Sequence, residues 1–157
     1  MIRFLKVAAC CAGLTAALIS PVLADQLPKG AKPVSSAELE KIYAGKTADW
    51  SSKVRAYFAP DKTVRGFNLE GEVTYTGRWS VKENAVCMKV NWKAIKGADS
   101  GTGTDCWTWF FQGKKLYTLW STRYDGSKPK KNDYYQGENK TLKNGDLVSK
   151  KIAELTQ

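Results

Sequence analysis

Histidine is absent from this 157-residue chain, and that single absence removes several chemistries together. No serine or cysteine nucleophile can be activated by an imidazole, no histidine can ligate a metal, and the commonest general base near neutral pH is missing. Long apolar runs are scarce as well. One extends from Val7 to Ile19, and no later run is long enough to span a bilayer as a helix. Only four cysteines occur, and Cys10 and Cys11 lie inside that first run, so the body of the chain has one possible pair, Cys87 and Cys106. Acidic residues are outnumbered, 15 against 25 basic ones. There is no internal repeat, no low-complexity tract and no catalytic motif.

What is present begins with Met-Ile-Arg-Phe-Leu-Lys, the apolar run, and Val22-Leu23-Ala24, whose small residues stand three and one before a cleavage point. This reads as a secretory signal peptide over residues 1–24. Reading Val7-Ala8-Ala9-Cys10 as a lipoprotein box leaves too few apolar residues ahead of Cys10. Cleavage removes only Arg3 and Lys6 among the charged residues, so a net charge of +8 survives. Such a surface attracts anionic polymers, phospholipid headgroups or acidic proteins, although a merely solvated basic surface explains it equally. With two cysteines left in an exported chain, a disulfide between Cys87 and Cys106 is expected.

Residues 25–34 hold two prolines and no periodicity, which predicts a mobile leader that packs on nothing. Ser35 to Glu38 fits a capping box, and Leu39, Ile42 and Tyr43 follow at helical spacing up to Gly45, predicting a short helix that lids or plugs a sheet. Trp50 to Phe58 reads as a first strand and Thr63 to Leu69 as a second, joined by Ala59-Pro60-Asp61-Lys62. Val73, Tyr75, Trp79 and Val81 then alternate with polar residues. With Glu83-Asn84 as a two-residue turn, Val81 meets Val86, Trp79 meets Met88 and Tyr75 meets Trp92. Opposing Cys87 to Cys106 sets Val86 against Trp107, and a turn at Gly113-Lys114 sets Trp107 against Trp120. Phe110, Tyr117 and Leu119 fall on the other face, a surface for the helix to cover. Ala94 to Asp105, with three glycines, reads as an exposed mobile loop. Asp133 to Tyr135 reads as a brief strand, and 142–155 fits either a strand or a terminal helix. The sum is a mainly β domain over 35–157, a strongly bent antiparallel sheet or small lipocalin-like β-barrel with one short N-terminal helix.

The runs S-A-E-L-E-K-I-Y-A-G-K-T at 36–47, Y-F-A-P-D-K-T at 57–63 and T-G-R-W-S-V at 76–81, with the cysteines of C-M-K-V-N-W and D-C-W, resemble the bacterial family called Domain of Unknown Function 995. The resemblance runs from Ser36 to about Trp120 and implies a small exported β-rich protein with one disulfide; it implies no activity. Gly77-Arg78-Trp79 also looks like the glycine-x-tryptophan signature of lipocalins, but it stands on a later strand than theirs and implies barrel shape alone.

Among the carboxylates, Asp61, Glu70, Glu72, Asp99 and Asp105 are the candidates for acid and base work, and all are read as solvated at turns. Asp99 to Asp105 alternates oxygen-bearing residues like a calcium loop, yet it lacks the closing glutamate and reads as a linker. No metal or cofactor is expected. Trp79, Trp92, Trp107, Trp109 and Trp120 occupy core-facing positions, in a barrel interior that can serve as core and cavity at once. The expectation is therefore an exported, non-enzymatic binding or interaction protein of the cell envelope. It would use the barrel mouth, or Lys128, Lys130 and Lys131 with Tyr134 and Tyr135, against an anionic glycan, a lipid or an acidic protein. Nucleic acid is not an expected partner. The alternative is an inhibitor or immunity protein directed at an envelope hydrolase.

Overall fold

Alternation of apolar and polar residues along most of the chain leaves one way to bury the apolar side, which is to curl a single sheet around it. A computed structural model describes residues 27–129 and 134–157; the expected signal peptide lies outside them. The elements are β1 (Lys32–Pro33), α1 (Ser36–Tyr43), β2 (Lys46–Ser51), β3 (Val54–Phe58), β4 (Thr63–Asn68), β5 (Val73–Lys82), β6 (Ala85–Ala94), β7 (Ser100–Gln112), β8 (Lys115–Thr122), β9 (Tyr135–Gln136), β10 (Leu142–Asn144) and α2 (Ser149–Leu155). Nine strands run β10-β2-β3-β4-β5-β6-β7-β8-β9, and β1 adds to β7. Every pair is antiparallel, and the sheet is a strongly curled half-barrel. A 3-10 turn at Glu138–Thr141 carries the chain from the β9 edge to the β10 edge and packs on β2 and β8.

The central registers are those the alternation predicts. Val81 faces Val86, Trp79 faces Met88 and Tyr75 faces Trp92; Val86 faces Trp107; Trp107 faces Trp120 and Phe111 faces Leu116. Cys87 and Cys106 stand directly opposite each other, Cα atoms 4.1 Å apart, and are disulfide-bonded. Their neighbours Val86 and Trp107 point into the core, so the bridge lies on the convex face.

The helix forms where the capping residues place it. The Ser35 side chain accepts from the Glu38 amide, and Gly45 takes the left-handed conformation, φ 75°, that ends the turn. Leu39 and Tyr43 enter the concave face at one end of the half-barrel. There the Tyr43 ring lies 4.8 Å from Phe58 and 5.9 Å from Trp109, both edge-on, and 6.5 Å from Trp79. The helix is therefore an internal plug and does not cover Phe110 and Tyr117 on the outer face. Tyr134 packs on Phe110 instead, ring centres 5.7 Å apart.

Four local expectations are corrected. The stretch 50–58 is not one strand but the turn and arm of a hairpin, because the Ser51 hydroxyl accepts from the amides of Lys53 and Val54 and reverses the chain. The supposed loop from Ala94 to Asp105 is mostly β7, paired with β6 from Lys93 opposite Ser100 onward. Its glycine at 101 serves packing: a Cβ there would lie 2.7 Å from the Trp92 ring. The leader does not float, since β1 pairs with Phe110 and Phe111, the Val34 amide donates to the Trp109 carbonyl at 3.1 Å, and Val34 is 1% exposed. Finally, 142–155 is strand and helix in succession. The helix α2 packs on β4, where Asp146 accepts from Arg65 and Ser149.

Candidate functional site

The α1 plug fills only one end of the concave face. At the other end no α-helix among the described residues packs over the inward positions of β5 to β8, and the alternation that put Trp92 and Trp120 on the core side leaves both part-exposed. They wall a cavity of about 950 Å³. Tyr75, Met88 and Val90 line it from β5 and β6, and the paired indoles of Trp50 and Trp107, stacked 5.6 Å apart, line it where β2 approaches β7. Most of the wall is aromatic or aliphatic, which is the usual make-up of a small-molecule site.

The polar groups are few and placed. The Trp120 Nε1–H donates to Asp105 Oδ1 at 3.1 Å, and the Trp50 Nε1–H donates to Glu138 Oε1 at 2.9 Å. Thr118, 2% exposed, also lines the cavity, and its hydroxyl has no hydrogen-bond partner among the described residues. Glu72, Lys96 and Asp99 stand exposed around the mouth with Tyr124 and Tyr135. A chain with a net charge of +10 thus has a cavity whose ionisable side chains, among the described residues, are four carboxylates and one lysine, apart from tyrosines.

Burial pushes the Asp105 carboxyl up to about 6; the Trp120 N–H opposes the rise and the nearby charge of Asp125 adds to it. Glu138 is likewise raised by burial, with the Trp50 N–H opposing. Burial, with the Asp105 charge added, raises the Tyr75 phenol. An aspartate whose folded pKa exceeds its unfolded value weakens the fold as pH rises through that interval, here about 4 to 6, and the loss is complete above it. Asp105→Asn is therefore expected to stabilise the protein by about 1 to 2 kcal/mol at pH 8, after discounting for partial exposure, and to change little at pH 4. Urea midpoints of both proteins at the two pH values measure this; equal differences at both would show that the carboxylate is not strained.

Of the residues expected to make contacts, only Tyr135, 57% exposed, reaches this cavity. Lys128 is exposed in the loop after β8, Tyr134 packs on Phe110, and Lys130 and Lys131 lie outside the described residues. The carboxylates divide. Asp61 accepts from the Thr63 amide and hydroxyl in its turn, which with the Arg78 and Arg65 charges more than offsets slight desolvation and keeps its pKa low. Glu70 is exposed, 3.9 Å from Lys53. Asp105, expected solvated at a turn, sits mid-strand and half-buried because β7 begins five residues before it. The expected linker at 99–105 therefore supplies three cavity residues, Asp99, Gly103 and Asp105. Among the described residues no group of three or more histidine, cysteine, aspartate or glutamate side chains is placed to hold a metal. Sequence reasoning missed Trp50, Thr118 and Glu138. The alternation of Ala48 and Trp50 along β2 pointed to the first, and nothing local marks the other two.

Compared with known proteins, residues 11–148 match the family described as "Protein of unknown function (DUF995)". No curated protein and no solved structure matches.

Proposed function

The chain belongs to the DUF995 family, whose description carries no activity, so its pocket must supply the functional argument; on that ground we propose a non-enzymatic binding protein that takes a small amphipathic molecule. One observation carries the reading: a cavity of about 950 Å³ walled by Trp50, Trp92, Trp107 and Trp120, with two half-buried carboxylates and one unpartnered hydroxyl as its inner polar groups. That combination supplies apolar area for a ligand body and a few fixed points for orientation. The non-enzymatic part rests on the polar groups themselves. Both inner carboxylates already accept from indole N–H groups, and the histidine-free chain offers no imidazole to activate a nucleophile.

Export to the periplasm or beyond is part of the proposal. The signal-like segment over 1–24 and a Cys87–Cys106 disulfide both suit an oxidising compartment. The basic exterior suits loose association with an anionic envelope component, while the acidic cavity receives the small molecule.

Titration with N-phenyl-1-naphthylamine, a neutral dye that brightens in apolar sites, tests the reading. Saturable binding of one dye per chain with quenching of tryptophan emission is expected. Ala94→Trp, which places an indole at the end of β6 against the cavity, is expected to weaken binding at least tenfold with an unchanged circular dichroism spectrum. Binding that ignores this substitution would put the dye elsewhere and remove the pocket from the argument.

A further inference from the structure

Resting on the pocket reading above, we propose that the cavity selects an organic cation, an ammonium or similar group on an apolar body, seated between Asp105 and Glu138 and against the indole faces. Four observations converge on this class. First, the indole bonds occupy only Oδ1 of Asp105 and Oε1 of Glu138. The other oxygen of each has no hydrogen-bond partner among the described residues, and neither carboxylate has a basic partner there. Half-buried carboxylates without a counter-charge are costly, and a ligand cation supplies the missing charge.

Second, the walls are the right kind. Tryptophan faces attract cations through their quadrupole, and the apolar surroundings of Met88 and Val90 strengthen that attraction by excluding water. The protein already uses this contact elsewhere, with the Lys62 ammonium 3.9 Å from the Trp79 ring centre. Third, the Thr118 hydroxyl is buried at the cavity wall without a partner, a polar group left for something that enters. Fourth, the sign of the cavity opposes that of the chain. An anion would meet Asp105 and Glu138 inside and Glu72 and Asp99 at the mouth, with Lys96 as the one basic lining residue among those described. A neutral ligand would leave both carboxylates uncompensated.

Protonation gives an independent readout. Burial raises Asp105 to about 6. Among the described residues the charged or titratable groups near it or along the same cavity are Asp125, Tyr75, Glu138, Glu72, Asp99 and Lys96, with the Arg123 guanidinium over the Trp120 ring that donates to it. Lowering the pH from 7.5 to 5 neutralises most of the Asp105 charge, so cation affinity falls while neutral-ligand affinity stays level.

The experiment titrates the full chain with three ligands sharing one body, decyltrimethylammonium, decanol and decanoate, each below its aggregation threshold, followed by tryptophan emission and calorimetry. The cation is expected to bind at least tenfold tighter than either of the others at pH 7.5, and to lose about tenfold at pH 5. Asp105→Asn and Glu138→Gln, made singly and checked by thermal melting, are each expected to weaken the cation three- to tenfold and to cost it at least threefold more affinity than they cost decanol. Decanol or decanoate binding as tightly as the cation, or carboxamide variants that weaken all three alike, would overturn the cation assignment and leave the pocket standing. Saturable binding by none of the three would overturn the pocket reading itself.

Discussion

Trp79→Ala is expected to lower the unfolding free energy by about 4 kcal/mol, read as a fall in the urea midpoint at unchanged slope. That is a large share of the roughly 5 to 15 kcal/mol available to a domain of this size. The indole is 2% exposed and lies edge-on to Phe58, ring centres 5.9 Å apart. It also touches the plug through Tyr43. Its Nε1–H donates to the Ala59 carbonyl at 2.8 Å in a fully buried position. Truncation opens a void, leaves that carbonyl with the Lys62 amide as its one donor among the described residues, and unseats α1 together. Trp79→Phe separates these terms: it keeps most of the packing and is expected to lose about 1 kcal/mol for the missing indole bond, since the Lys62 amide still donates to the carbonyl. Trp120→Ala should destabilise much less, because that ring is part-exposed in the cavity. Equal losses at the two tryptophans would contradict the division of the concave face into a packed end and an open end.

Joint replacement of Cys87 and Cys106 by alanine is expected to remove about 3 kcal/mol, the chain-entropy value for a bridge closing a loop of this length, 19 residues apart in sequence. The bridge links β6 and β7 at directly opposed positions on the convex face, away from the cavity. Ligand affinity should therefore persist at temperatures where the variant remains folded. Melting with and without a reductant, followed by dye titration of the double variant, checks both halves. A variant that melts normally would show that the register holds without the bridge, and one that folds but loses dye binding would show that the bridge shapes the cavity.

The centre of the sheet was legible because three independent signals agree there. Inward residues recur with period two along β5 to β8, two-residue turns join β5 to β6 and β7 to β8, and the turn residues Glu83 and Gly113 take positive φ, 55° and 57°, as such turns require. Legibility fails where a side chain substitutes for a turn motif, as Ser51 does before Val54, and where glycine is used for close approach, as at Gly101 beneath Trp92. The site was legible in part. Trp92, Trp107 and Trp120 were placed on the inner face correctly, but Glu138 reaches the cavity from a segment 88 residues away from its partner Trp50. Only the closing of the sheet brings them together. Composition did not reveal the sign of the cavity, because net charge sums over the whole chain and says nothing of a few carboxylates facing inward.

The short segment Glu138–Thr141 that joins the two margins of the sheet has an evolutionary corollary. Where those margins approach, the described residues span the gap with side-chain contacts, Trp50 to Glu138 and Trp50 to Trp107, instead of a strand ladder. Relatives can therefore retune the width and polarity of the opening by exchanging a residue or two at this seam, without re-threading any strand, and diversification in ligand preference should concentrate there.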